Sequence, residues 1–184
     1  APGSMIYIGD QGEGTSSIFL IRYDSEHLEK IPIRKIGNLP EEIRPGMVHW
    51  IHVDGIHNVR VIEKIGQIFN LHPLVMEDII NTQQRPKMEE YPDSLFITAK
   101  IMSESTIQPE IIDFEQISFF LGKNFLLTFK EKDTPFFKPI HNRLEIPNSR
   151  IRQNQADYLL YALLDLMADH YLLLTESLGD RIQE

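Results

Sequence analysis

Glu77 and Asp78 stand side by side in the stretch from Phe69 to Glu89, FNLHPLVMEDIINTQQRPKME. Adjacent carboxylates are hard oxygen donors of the kind divalent cations take, and on an exposed helix they are equally a solvated face. A second acidic group lies near the C-terminus. Asp165, Asp169 and Glu176, at spacings of 4 and 7, fall within about 40° of one another around a helix axis. Like charges at i and i+4 cost a few tenths of a kcal/mol, a cost that a solvated face tolerates and that a bound divalent cation would reverse. Residue types alone leave both readings open for both groups.

Other candidate metal chemistry is less well placed. His49, His52 and His57 invite a metal reading, but the first two lie on a β-type run, where side chains at i and i+3 point to opposite faces. They read as ordinary sheet residues. A metal-dependent hydrolase built on His72, Glu77 and Asp78 is a further alternative. It suffers because His72 precedes Pro73 and stands outside the helix, whereas such helices present ligands at i and i+4. No glycine-flanked serine elbow is present. The glycines of Gly9 to Gly14 are not followed by Lys-Ser/Thr or a helix, as a phosphate cradle requires.

The chain that must position these groups has 184 residues, 42% hydrophobic and 24% charged, enough for one sizeable core. Eighteen basic against 27 acidic residues give a formal net charge of −9, which disfavours nucleic acid and anionic membrane surfaces and favours cations. There is no cysteine, so thiolate metal sites and cysteine nucleophiles are excluded. No apolar run approaches the roughly 20 residues that span a bilayer. Ala1-Pro2-Gly3-Ser4 ahead of Met5 reads as a remnant of tag cleavage.

Strands are expected at Met5 to Ile8, Ile18 to Tyr23, Met47 to Val53, Leu95 to Met102, Ile112 to Leu121 and Phe125 to Lys130, with at most one helical turn at Leu39 to Ile43. Asn58 can cap a helix to about Phe69, whose Val59, Ile62, Ile65 and Phe69 share one face. Pro73 suits the first position of a short helix running to Asn81, and Pro86 follows with basic Arg85 and Lys87, so an acidic turn gives way to a basic one. Thr134-Pro135 opens a helix that Pro147 stops. From Asn154 onward a longer helix carries Leu160, Leu164, Met167, Tyr171, Leu174 and Leu178 at spacings 4-3-4-3-4, a seam for packing along another helix. In its first half Leu159, Leu163 and Leu166 add a second stripe, which marks a core helix. Residues 151–184 hold six acidic and two basic side chains, a net of −4. The fold predicted is an α/β/α sandwich with a mixed sheet over residues 5–152, followed by the start of a long C-terminal helix at 153–184 that continues past Glu184.

Several stretches together resemble CorA-type magnesium transporters. They are Trp50-Ile51-His52-Val53-Asp54-Gly55, the run LHPLVMEDIINTQQRPKMEEY, Glu115 to Leu121, Asn124 to Phe129 and Ala156 to Asp165, in the family's order over about 120 residues. The resemblance implies a cytoplasmic regulatory domain, on the inner side of the cell membrane, of a homopentameric divalent-cation channel. The long helix would lead to membrane helices and a Gly-Met-Asn signature, neither of which this sequence contains. It further implies that divalent cations bind between neighbouring subunits and hold the pore closed. On that basis Asp78 falls at the interfacial sensing aspartate, with Glu77 beside it and Asp169 as another acidic contributor. Magnesium is the first ion implied, with cobalt or nickel also carried by relatives. A zinc-transporting branch of the same superfamily is the alternative. No catalysis is expected.

Overall fold

The computed structural model describes residues 16–104 and 112–183. The expected strand at Met5 to Ile8, the glycine run and the first four residues lie outside that range. Seven strands form one sheet: β1 (Ser17–Tyr23), β2 (Leu28–Pro32), β3 (Val48–Asp54), β4 (Lys87–Tyr91), β5 (Ser94–Glu104), β6 (Ile112–Leu121) and β7 (Phe125–Lys130), in the order β2-β1-β3-β7-β6-β5-β4. Every neighbouring pair is antiparallel except β3 and β7, which run parallel with His52 opposite Thr128 and Asp54 opposite Lys130. All seven residues of β3 are buried. A parallel central pair is covered by helices on both faces, which buries both sides of the strand.

Helices α1 (Val59–Phe69) and α2 (Pro73–Ile80) cover one face, packing Ile62, Ile65, Val75 and Ile79 against Ile51, Val53, Leu127 and Phe129. The opposite face receives a 3₁₀ turn at Pro135–Phe137, α3 (Lys138–Glu145) and α4 (Ala156–Gln183). There Phe137, Ile140, Leu159 and Leu163 enclose Trp50, Leu126 and Phe119. The architecture is therefore the α/β/α sandwich with a mixed sheet. The early part of α4 completes the second core through Ala156, Leu160 and Met167, so its first half packs on the sheet, as the double stripe indicates. Farther along, His170 Nε2 lies 2.6 Å from the Met102 carbonyl and the Tyr171 hydroxyl donates to the Lys100 carbonyl. Leu172 and Leu173 stand exposed. Among the described residues no helix is long and apolar enough to cross a membrane.

The structure departs from the sequence reading at both sheet edges. β2 and β4 were not expected, and residues 36–42 form a longer 3₁₀ segment than the single turn anticipated at Leu39 to Ile43. The edge strands LEKIP and KMEEY are charged and only half-buried, which suits an edge because charge and proline there discourage pairing with other chains. The basic turn after α2 is thus the entry to β4. Asn58 occupies the N-cap position of α1 without a side-chain capping bond, whereas His72 caps α2 by accepting from the Leu74 amide at 3.2 Å.

The chain leaves β3 through Gly55, whose φ of +80° lies in the left-handed region. A Cβ there would approach His57 Cε1 to 2.9 Å and Ser16 Cα to 3.4 Å. Gly55→Ala should therefore lower the unfolding free energy by about 1–2 kcal/mol, measured by urea denaturation. An unchanged midpoint and slope would contradict the strain at this turn.

Candidate functional site

Pro73 at the first helical position and His72 as the cap place α2 so that Val75, Ile79 and Ile80 face the sheet, which turns Glu77 and Asp78 towards its half-exposed flank. Asp78 is held on both its main chain and its side chain. Its carbonyl accepts from Gln116 Nε2 at 3.1 Å and from Gln84 Nε2, and its carboxylate oxygen Oδ2 lies 2.6 Å from Lys87 Nζ. The same ammonium donates to Glu89 Oε1 at 2.9 Å. Burial alone would lower the Lys87 pKa, but its hydrogen bonds to Asp78 and Glu89 carry it above the ordinary lysine value. The hydrogen bonds from Lys87 and Tyr91 draw the Glu89 carboxyl below its own. Glu77 makes no ion pair among the described residues. The acid pair is therefore inequivalent: one carboxylate is bound to an internal cation and the other is uncompensated.

Asp165, Asp169 and Glu176 are exposed along α4, with no ion pair among the described residues. Because α2 and α4 cover opposite faces of the sheet, Asp169 does not meet Glu77 and Asp78 within one chain. Among the described residues no group of three or more His, Asp or Glu side chains is arranged to hold a metal ion. His72 spends Nδ1 on its cap and stays exposed, so the hydrolase arrangement of His72, Glu77 and Asp78 does not assemble. His49 and His52 point to opposite faces as expected: His49 Nε2 accepts from the Arg44 amide at 2.9 Å, while His52 faces the side covered by α3.

A cluster that the sequence does not reveal lies where β3 and β7 end. His52 Nε2 and Lys130 Nζ approach Asp54 Oδ1 to 3.0 and 3.1 Å, and Lys130 also donates to the Thr134 carbonyl at 2.6 Å. Thr128 Oγ1 accepts from Trp50 Nε1 at 2.9 Å and lies 2.8 Å from His52 Nδ1. Burial alone would raise the Asp54 pKa, but the bonds from His52 and Lys130 hold it below the usual carboxylate value. His141 of α3 lies over Trp50, with ring centroids 4.9 Å apart. Its pKa is lowered to about 4, first by desolvation and then by the charges of Lys30 and His52. The only signal in the sequence was a charged residue closing each of two strands, Asp54 and Lys130.

With this geometry in view, comparison with known proteins supplies the family. The pattern defining the CorA-like Mg²⁺ transporter protein family matches residues 46–184. The chain belongs to the CorA family. It is 34% identical over 181 residues to the cobalt/magnesium transport protein CorA of Thermotoga maritima, covering 98% of this chain and 51% of that protein. It spans about half the length of the curated CorA-like relatives it matches. Its fold is that of the soluble domain of CorA from Methanocaldococcus jannaschii, with a TM-score of 0.67 at 17% identity, covering 89% of this chain and 61% of that one. The cytoplasmic domain of ZntB from Vibrio parahaemolyticus gives a TM-score of 0.66 at 13% identity, covering 89% and 63%. CorA is a family of transporters, not of enzymes.

The neutral His141 sets a pH dependence with a definite sign. A group whose folded pKa lies below its unfolded value contributes stability that is present above the unfolded pKa and lost as pH falls through the folded one. As pH falls from 6.5 to about 4, His141 should therefore make the protein progressively less stable. Urea unfolding of His141→Gln across that range should show a correspondingly flatter decline than the wild type. Parallel curves would contradict the assignment.

Proposed function

We propose that this chain is the cytoplasmic, cation-sensing domain of a homopentameric CorA-type magnesium channel. In this reading Asp78 and Glu77 of one subunit and Asp169 of a neighbour bind a divalent cation that favours the closed pore. The observation that carries it is the separation of these acids onto opposite faces of one sheet, with Glu77 and Asp169 in no ion pair among the described residues. They can serve one ion only if they come from two copies. Carboxylate oxygens suit Mg²⁺, which keeps most of its waters and needs no closed protein cage. Lys87 fits the same reading. A cation arriving at Asp78 competes with an ammonium 2.6 Å from the same oxygen, so the site is weak and follows concentration instead of storing metal. The 34% identity to a protein named for cobalt and magnesium supports those ions. The zinc reading rests on the fold of ZntB, which resembles this chain about as closely as the archaeal CorA domain does. We infer that residues 5–152 form the domain body and that residues 153–184 lead towards the membrane, on its cytoplasmic side, in the complete protein.

A ligand at ten times its dissociation constant stabilises a fold by about 1.4 kcal/mol. With millimolar affinity, 10 mM Mg²⁺ should therefore raise the melting temperature of this chain by no more than about 3–5 °C. Asp78→Asn should abolish most of that increment, and Glu63→Gln on exposed α1 should leave it intact. Differential scanning calorimetry with and without Mg²⁺ reads both. Equal increments in the wild type and Asp78→Asn would remove Asp78 from the cation site.

A further inference from the structure

Acids outnumber bases in this chain by 27 to 18, yet one cavity of about 490 Å³ is lined by four bases and no acid. Arg34 and Lys35 come from the connection between β2 and the 3₁₀ segment, and Arg60 and Lys64 from the first two turns of α1. The frame around them is tied together. The Ser16 hydroxyl donates to the Gly55 carbonyl where the chain leaves β3, and the Ile33 amide donates to the Ile18 carbonyl at 2.8 Å. Ile18, Ile33 and Val61 supply an apolar floor. The cavity falls within the size range of small-molecule sites.

All four bases are exposed, with no ion pair among the described residues. Their placement costs stability instead of adding to it. Arg60 and Lys64 are like charges at i and i+4, and Arg60 stands at the positive end of the helix dipole, in a first turn that carries no acid. Arg34 and Lys35 add two adjacent like charges from a second element. Acids on the neighbouring elements do not offset them. Glu42 lines the next cavity together with Arg34 and Lys35, but Arg22 holds it at 2.9 Å, and Glu63 of α1 is exposed outside the lining. A bound anion turns each of these repulsions into a shared attraction.

We propose that this cavity binds the phosphate chain of a di- or triphosphate. Arg60 and Lys64 are separated by about 6 Å along the helix axis, a span suited to a row of linked phosphates and not to a single one. The guanidinium groups of Arg34 and Arg60 match phosphate oxygens bidentately, and the ammonium groups of Lys35 and Lys64 act beside them as point charges. The floor of Ile18, Ile33 and Val61 can seat the ring of a nucleoside, so free polyphosphate and nucleotide share the chemistry of this site. It has no residue in common with the acids assigned to cation sensing on α2 and α4, and it gives this domain an anionic ligand.

The chain is titrated calorimetrically with tripolyphosphate at constant ionic strength and free of divalent cations, which polyphosphates chelate. Tripolyphosphate should bind saturably at one site with a dissociation constant of roughly 0.1–1 mM. Orthophosphate should bind at least about tenfold more weakly. Arg60→Gln and Lys64→Gln, both at exposed positions, should each weaken tripolyphosphate about three- to fivefold, the loss of one exposed charge pair, and the double variant should weaken it about tenfold or more. Lys123→Gln removes one exposed charge at the β6–β7 turn, beside the opposite end of β3, and should leave the affinity unchanged. Circular dichroism establishes that the variants are folded. ATP binding more tightly than tripolyphosphate identifies the ligand as a nucleoside polyphosphate seated on the apolar floor, and ATP binding no more tightly identifies the phosphate chain alone as what is read. Absence of saturable tripolyphosphate binding, equal binding of orthophosphate, unchanged affinity in the folded double variant, or equal weakening by Lys123→Gln would overturn the proposal.

Discussion

The parallel pairing of β3 with β7 is the constraint on which the rest of the structure depends. Their paired residues lie 76 positions apart, as with His52 and Thr128, so the contact forms only after the intervening helices and hairpins are accommodated. Parallel neighbours need a crossover, and crossovers put helices on the faces of a sheet. Both faces of β3 are consequently buried, with Trp50 in one core and Ile51 in the other. Two sets of polar groups enter this dry centre as paired clusters. Thr128 joins Trp50 to His52, and Asp54 is matched by Lys130 and His52. Losing one member of a buried ion pair leaves the other uncompensated, at a cost on the order of 3–5 kcal/mol. The pair at the strand ends therefore ties register to charge.

Layering on both sides of that centre also decides how the acids are distributed. A two-faced sandwich separates α2 from α4 by a whole sheet, so a subunit can display carboxylates on both sides without building a cage of its own. Lys87 moderates one of those displays. It bridges the helix and the edge strand, and it leaves Glu77 as the uncompensated half of the acid pair.

Much of this organisation is legible in the sequence because the central elements obey simple periodicities. Strands β3, β6 and β7 are rich in β-branched and aromatic residues and lie between turn residues, α1 repeats its apolar positions at 3 and 4, and Pro73 and Pro86 bracket α2. The edges are not legible. Glu29, Lys30 and Pro32 in β2, or Lys87, Glu89 and Glu90 in β4, look like loop because an edge strand is selected for reluctance to pair, which is the opposite of strand propensity. The candidate site divides the same way. The acid pair is visible because its residues are neighbours in sequence. His52, Asp54, Lys130 and His141 form a cluster only through long-range pairing, which no local pattern encodes. The Asp78 to Lys87 pair was half visible: the acidic and basic stretches stood out, but not that the second folds back as a strand beside the first.

Lys100 faces both ways across β5. Its side chain donates to the Thr82 carbonyl just beyond α2, while its own carbonyl accepts from the Tyr171 hydroxyl on α4. The two helices on opposite sides of the sheet are thus joined in series through a single residue, as links on either side of a pin. A shift of α2 away from the sheet therefore strains the bond from Lys100 together with those from Gln116 to the Asp78 and Ile79 carbonyls. The acidic helix and the long helix are accordingly tied to one another by hydrogen bonds meeting at a single position of β5, in addition to the apolar contacts that each makes with its own face of the sheet.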